Sequence, residues 1–435
     1  MFRMKPMRLL TNEEQRVIYY QGKDKPTVPS SVTPESSLSE LNLNWRERDL
    51  PERERTKHVH RLHPYLGKFI PQLVEVFLRK YFRPGQTVFD PFVGSGTTLV
   101  QANELGIHAI GYDISSFNVL LSRAKTKHYD LKKVRAEILD ILNKVSQAVH
   151  SKAQQPTFWG SDGREKTITC ENEYLRLWFA PQALHELLTY RDLIPNYEEQ
   201  DILKVILSRS ARSARLTTHY DLDFPKAPQT TPYWCRKHSR ICMPTTTAYQ
   251  FLRRYSLDTI RRLEEFAARR TDAQVIVKHE DSRYAELPPI DGVITSPPYV
   301  GLIDYHEQHR YAFELLGLEE RSEAEIGSAK QGTGTNARRE YREGITQVFQ
   351  RAIQFILEGG LLIVIAGDKY NLYDEIAQRC GSKVEAILKR HVHRRTGRRS
   401  SEFYEDVFIW RKALVYNEVG KEKYKAMVDA LMFNF

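Results

Sequence analysis

The chain has 435 residues, 41% of them hydrophobic and 28% charged, with a formal net charge of +10 and a pI near 9.2. That length can bury two or three units of roughly 150 residues. No apolar run approaches the roughly 20 residues that cross a bilayer, and Met1 to Leu10 lacks the apolar stretch of a secretory leader, so membrane and export classes are excluded and a cytoplasmic protein is expected. Four cysteines, Cys170, Cys235, Cys242 and Cys380, show no paired framework, which fits a reducing compartment. The basic balance favours a polyanionic partner, and it is concentrated: Lys204 to Arg270 holds 14 Lys and Arg against 5 Asp and Glu.

In chain order, residues 1–40 read as a flexible arm, since Lys23 to Ser39 is rich in Pro, Ser and Thr without periodicity. Between His58 and Arg83, Phe69, Leu73, Val76, Phe77 and Tyr81 fall on one helical face, and Pro84-Gly85 stops it. A short strand, Thr87 to Asp90, leads into a Gly-Ser-Gly turn, a helix over Thr97 to Leu105, and a second strand, His108 to Tyr112, ending on Asp113. Such a βαβ unit implies a parallel sheet. The alternation stops from Tyr129 to Asp272, where periodicity predicts helices over Leu131 to Val149, Tyr174 to Leu193, Ile202 to Ala214 and Ala248 to Ala268. It resumes with strands Gln274 to Val277 and Gly292 to Thr295, helices around Tyr305 to Leu316 and Arg339 to Leu357, and strand Leu361 to Ala366. Val384 to His393 and Tyr404 to Arg411 read as a closing antiparallel pair. The expected organisation is an α/β catalytic domain over 41–128 and 273–415, an inserted helical domain over 129–272, and a tail over 416–435.

A turn built from Gly94 and Gly96 after a parallel strand lets the backbone approach a ligand, and the next helix presents free N–H groups suited to a carboxylate. Asp113, ending the following strand, has the place of an acid that holds ribose hydroxyls, or of an N-cap for the helix after it. The pocket suits S-adenosylmethionine or NAD. The missing third glycine, and Thr97 and Thr98 where a pyrophosphate would lie, weigh against NAD.

Asp90-Pro91-Phe92-Val93-Gly94-Ser95-Gly96-Thr97, with Thr295-Ser296-Pro297-Pro298-Tyr299 far downstream, resembles the signature pair of the DNA amino-methyltransferases. Upstream, His63-Pro64-Tyr65 with Lys68-Phe69-Ile70-Pro71 is similar to the family's motif X. Asp113-Ile114 is similar to motif II, and Glu280-Asp281-Ser282 to motif III. The resemblance covers Leu41 to Lys127 and Gln274 to Lys412. It implies a class I, Rossmann-like S-adenosylmethionine-dependent methyltransferase sheet. It also implies cofactor contacts from Lys68, Phe69, Asp90, Phe92, Gly94, Ser95, Gly96, Thr97, Thr98, Asp113, Ile114, Asp281 and Ser282.

An exocyclic amine on a nucleobase is a poor nucleophile because its lone pair is delocalised into the ring. Two acceptors beside its hydrogens localise that pair, and Ser296 Oγ with the Pro297 carbonyl supplies them. Pro297 and Pro298 fix φ and donate nothing, and Tyr299 offers a ring on which an extruded base stacks. Cytosine C5 methylation needs a cysteine nucleophile, which in that family follows a proline; no cysteine here does. Within the resembling family, serine at the first position is typical of cytosine-N4 enzymes and aspartate or asparagine of adenine-N6 enzymes. The expectation is therefore cytosine N4 by base flipping, with adenine N6 as the alternative. A binding protein with an inactive methyltransferase core is the reading from another class.

The order of motifs resembles the family's α arrangement and makes the insertion the expected target-recognition region for double-stranded DNA. The candidate contacts are Arg209, Arg212, Arg215, Arg236, Lys237, Arg240, Arg253 and Arg254, with Arg394, Arg395, Arg398 and Arg399 gripping backbone near the flipped base. The last arginine pairs of the insertion, including Arg261 and Arg262, equally suit a solvated helix face with Glu264 and Glu265. A cognate restriction endonuclease is the expected companion. Cys235, His238 and Cys242 hint at zinc, but the spacing shows no clear fourth ligand, so packing accounts for them and no metal is expected.

Overall fold

The computed structural model describes residues 17–20, 25–150, 170–219, 221–222, 224–392 and 403–413. The first part of the chain gives β1 (Val17–Tyr20), α1 (Glu52–Arg55), α2 (Pro71–Tyr81), β2 (Thr87–Asp90), α3 (Thr97–Glu104), β3 (His108–Asp113) and α4 (Ser116–Thr126). A helical stretch follows: α5 (Leu131–His150), α6 (Glu173–Trp178), α7 (Pro181–Leu193), α8 (Gln200–Ala214) and α9 (Tyr249–Ala267), with the hairpin β4 (Tyr233–Cys235) and β5 (Arg240–Cys242) between the last two. The α/β pattern then returns as β6 (Val275–His279), β7 (Ile290–Thr295), α10 (Tyr305–Gln308), α11 (Arg310–Leu316), α12 (Thr335–Phe355), β8 (Ile356–Ala366), α13 (Tyr373–Arg379), β9 (Ser382–Val392) and β10 (Phe403–Lys412).

Eight strands form one sheet in the order β1-β9-β10-β8-β7-β2-β3-β6, and β10 alone runs antiparallel to its neighbours. The central strands are apolar on both faces because helices cover both. In β8, Ile363 and Ile365 point to the side of α2, where Leu73, Val76 and Phe77 are fully buried. Leu362, Val364 and Ala366 point to the side of α12 and α13. Each such side chain contributes about 1.5–3 kcal/mol of burial.

Three expectations are altered. Residues 25–40 are packed rather than a free arm: Val32 joins the core under α2, and Lys80 Nζ donates to the carbonyls of Pro34 and Ser36. Tertiary contacts hold a segment that has no periodicity of its own. The helix expected over Tyr174 to Leu193 is two, because Pro181 cannot continue a helix and Phe179 and Ala180 are extended before it. Finally, among the described residues the helices of 129–272 share their core with the rest of the chain. Phe117, Leu120 and Leu121 of α4 and Tyr311 and Phe313 of α11 belong to the same buried cluster as α5, α7, α8 and α9. The tail expected over 416–435 lies outside the described residues.

Candidate active site

The sheet reverses its winding at β2 and β7, and ligand crevices open at the carboxyl ends of strands at such points. Val88 pairs with Gly292 and Phe89 with Val293, so the two strands end side by side on Asp90 and Thr295. Asp90, 1% exposed, joins them. Its Oδ1 accepts from Thr295 Oγ1 at 2.6 Å and from the Phe92 N–H at 3.1 Å, and its Oδ2 accepts from Thr98 Oγ1 at 2.6 Å. Burial pushes its carboxyl up to about 6, against the pull of those hydrogen bonds.

Beyond Asp90 the turn takes left-handed conformations at Gly94 (φ 48°) and Gly96 (φ 77°). A Cβ on Gly94 would lie 3.1 Å from the Tyr65 hydroxyl, and one on Gly96 2.9 Å from Ser122 Oγ. The turn is pinned from α4: Ser122 Oγ donates to the Gly94 carbonyl at 3.1 Å and Lys125 Nζ to that of Ser95 at 2.6 Å. Lys125 is fully buried, and burial holds its ammonium well below its ordinary value. Sequence reasoning missed Ser122 and Lys125, whose only local signal is their place on the helix after Asp113.

A cavity opens above this floor, at the place where small-molecule sites of doubly wound sheets lie. Lys68, Phe69, Phe92, Gly94, Ser95, Thr97, Asp113, Ile114, Asp281 and Ser282 line it, as the sequence leads one to expect, and so do Ser296 and Pro298. Tyr65 of the motif X resemblance lines it too, and Ile303, Tyr305 and Glu325 are wall residues that were not foreseen. Asp90 and Thr98 are not wall residues; they are buried beneath the cavity and hold its two loops together, and Gly96 packs against α4 instead. A donor set of backbone amides, a lysine, acids and apolar walls fits a nucleoside carrying an amino-acid arm.

Asp113 lines the cavity and braces the backbone on both sides, while the N-cap of α4 is Ser115. Asp113 Oδ2 accepts from the Gly94 N–H at 2.9 Å, and its Oδ1 from the Ser115 N–H at 2.9 Å and Asn118 Nδ2 at 3.1 Å. A carboxylate has about four lone-pair positions, so room remains for one hydroxyl rather than two. Lys68 Nζ donates to the His60 carbonyl at 2.9 Å, and burial brings its ammonium down to about 8. Asp281 is held by Arg283, and Ser282 Oγ donates to the Pro91 carbonyl at 2.7 Å, tying this side of the cavity to the loop that leads into the glycine turn.

The tetrad after β7 is equally constrained. The Pro298 carbonyl accepts from Tyr341 Oη at 2.9 Å, and Tyr341 is in turn 2.6 Å from the Tyr373 hydroxyl. Among the described residues none donates to the Pro297 carbonyl. Tyr299 Oη donates to Glu405 Oε1 at 3.0 Å, and Arg390, 3.1 Å from Glu405, anchors that carboxylate. Burial, with Glu405 beside it, raises the Tyr299 phenol well above its ordinary value. Ser296 and Pro298 line the cavity, whereas Pro297 and Tyr299 do not.

The arginines of the insertion divide. Arg209, 8% exposed, pairs with Asp258 at 2.8 Å and lies 4.1 Å over the Tyr255 ring; Arg215, 3% exposed, lies 4.4 Å over Tyr311 and donates to the Leu222 carbonyl. Both were expected to face DNA, and both are instead consumed in helix packing because α9 and α11 cover that side of α8. Arg212 is half-buried on the same helix; burial, aided by Arg212 and Arg215, pushes the His309 imidazole down to about 3. Arg236, Lys237 and Arg240 are exposed on the β4–β5 hairpin, and Arg253 and Arg254 are exposed at the start of α9. Arg261 and Arg262 pair with Asp258 and Glu265 along α9. Arg394, Arg395, Arg398 and Arg399 lie outside the described residues. The ligand that the spacing around Cys235, His238 and Cys242 lacked is present in space: His219 joins them.

Among the described residues no helix is long and apolar enough to cross a membrane. Comparison with known proteins agrees with the site. Residues 5–123 match the family model described as DNA methylase, N6/N4 type. The chain is 37% identical over 430 residues to the Type II methyltransferase M.MjaII of Methanocaldococcus jannaschii, covering 82% of this chain and 81% of that one. It is 25% identical over 288 residues to the Type II methyltransferase M.MvaI of Kocuria varians, covering 62% and 60%. An S-adenosylmethionine-dependent methyltransferase structure from Methanosarcina mazei aligns over 78% of this chain and 97% of that one, at 8% identity and a TM-score of 0.31. At 37% identity to M.MjaII over most of both chains, and with the match to the family model, the chain belongs to the N6/N4 DNA methylase family of S-adenosylmethionine-dependent amino-methyltransferases.

Proposed function

We propose that this protein methylates the exocyclic N4 of cytosine at a specific sequence in duplex DNA, after flipping the base, as the modification enzyme of a restriction system in a prokaryotic cytoplasm. The observation that carries the reading is that Ser296 and Pro298 share one cavity with Gly94, Ser95 and Asp113. The names of the relatives, Type II methyltransferases, support the restriction setting. Serine rather than an acid or amide at position 296 supports cytosine over adenine.

S-adenosylmethionine supplies a methyl on a sulfonium leaving group, so in-line transfer proceeds without a covalent enzyme intermediate. Toward that group the left-handed turn at Gly94 and the amides opening α3 face a carboxylate, Asp113 has one lone-pair position left for a ribose hydroxyl, and Lys68 adds a donor at the wall. Toward the base, Ser296 Oγ and the Pro297 carbonyl accept hydrogen bonds from the two amine hydrogens and draw the nitrogen lone pair out of conjugation; as the N–C bond forms the C–S bond breaks, and one amine proton then leaves to solvent. Tyr341, by holding the Pro298 carbonyl, fixes the tetrad, and Tyr299, tethered to Glu405, presents its ring for stacking, worth about 1–3 kcal/mol. The exposed basic residues of the hairpin and of α9 grip phosphates, and some of them read base edges.

The test is transfer of labelled methyl to duplex DNA followed by mass analysis of the nucleosides. N4-methylcytosine is expected. N6-methyladenine would replace the base assignment and leave the site assignment standing; no transfer to any DNA would leave the inactive-core reading.

A further inference from the structure

We propose that His219, Cys235, His238 and Cys242 bind one Zn2+ in a closed tetrahedral site that holds the segment between α8 and α9 in shape. Cys235 Sγ is 3.6 Å from Nδ1 of both His219 and His238, and Cys242 Sγ is 3.4 Å from His238 Nδ1. All four ligand atoms lie within 4.8 Å of one another. Bonds of about 2.0–2.3 Å at tetrahedral angles separate ligand atoms by about 3.3–3.8 Å. The side chains therefore already stand close to the corners such a site requires.

The local sequence explains the convergence. Tyr233 pairs with Cys242 and Cys235 with Arg240 across the hairpin, which puts both thiols on one face of the ribbon. The turn between them passes through Ser239 in a left-handed conformation (φ 51°) and carries His238 back toward the thiols. His219 arrives from the end of α8, its backbone N–H donating to Tyr233 Oη at 3.0 Å.

A second observation points the same way. The hairpin has three residues in each strand, is not joined to the main sheet, and exposes the apolar pair on its other face, Trp234 (64%) and Ile241 (67%). An isolated two-stranded ribbon of this size is at best marginally stable in water, and small units without a core are commonly held by a metal. Two thiolates and two imidazoles select zinc among common divalent ions, and the two thiolate charges neutralise it. Binding releases the two thiol protons to solvent.

The full-length protein, purified in reducing buffer without chelator, is expected to contain about one zinc per chain. Replacing it with Co2+ is expected to give the visible absorption of a tetrahedral thiolate site. Cys235→Ser and Cys242→Ser should each lose the metal while S-adenosylmethionine affinity, read by calorimetry, stays within about twofold; Cys380→Ser, outside the cluster, should keep it. A wild-type chain that neither carries zinc nor retains Zn2+ or Co2+ after loading and dialysis overturns the proposal, and that readout stands even where the cysteine variants fail to fold. Full metal stoichiometry in Cys235→Ser, or a Cys235–Cys242 disulfide in the reduced preparation, overturns it equally. None of these readouts depends on which base is methylated.

Discussion

The crevice between β2 and β7 and the helical layer over 129–272 use their polar side chains in opposite ways. In the crevice, most of the residues that the sequence marks as functional line the cavity, and others support it through short hydrogen bonds: Asp90 to Thr98 and Thr295, Ser282 to Pro91, Tyr341 to Pro298. In the helical layer, residues of a single type divide between structure and surface, with Arg209 and Arg215 buried against tyrosine rings and Arg253 and Arg254 in solvent. A motif tells what a residue does when the chain's own local geometry creates the site. A charge stripe does not, because what covers a helix face is decided elsewhere in the chain.

The strongest challenge to this contrast is Ser296→Ala, expected to reduce methyl transfer on the order of 1,000-fold, or about 4 kcal/mol, with cofactor affinity within about twofold. Single-turnover rates and calorimetry check it; an unchanged rate removes Ser296 from the chemistry. Next, Arg209→Ala removes one of the three arginine partners of Asp258 and the cation over the Tyr255 ring, and should lower stability by about 1.5–3 kcal/mol in denaturant melts. A variant as stable as wild type would make Arg209 a candidate for gripping DNA once more.

Asp90 supplies a pH test. Its folded carboxyl, at about 6, lies above the ordinary 3.8, so the folded state holds the proton more tightly. The contribution is complete below about pH 4 and is lost as pH rises through 6, a span on the order of 2–3 kcal/mol. Wild type should therefore gain stability relative to Asp90→Asn on acidification from pH 7 to 4, and parallel melting curves across that window would refute a buried, protonatable junction. The smallest effect belongs to the surface. Replacing Arg253 and Arg254 together by Ala should leave the melting temperature unchanged and flatten the salt dependence of DNA affinity by about 0.9 in logarithmic slope for each phosphate that is no longer neutralised. A slope equal to wild type would place the DNA elsewhere.

Much of the sheet could be read in advance because each strand carries its own apolar run and each helix its own stop. The Thr87–Asp90 strand, the glycine turn, the His108–Asp113 strand and the antiparallel closing pair stand where they were expected. What escaped detection depends on partners distant in sequence. Asp90 reads locally as a cofactor contact, and only Thr295, 205 positions away, reveals it as a tie between loops. β1 has four residues, and its only reason to be a strand is β9. Arg209 and Arg212 of α8 and its C-cap Arg215 recur every three residues as a surface stripe would, and only α9 and α11 show that Arg209 and Arg215 are covered. His219 lies 16 residues before Cys235, outside any compact ligand spacing.

The common core of the helical layer and α4 bears on how the enzyme's specificity can be redesigned. Transplanting 129–272 from a relative as a cassette would set foreign side chains against Phe117, Leu120 and Tyr311, whose shapes were fitted to the native helices. The hairpin region between α8 and α9 shares no strand with the sheet, so an exchange of 218–247 would swap its exposed basic residues and spare Arg215 over Tyr311 and Ala248 in the common core.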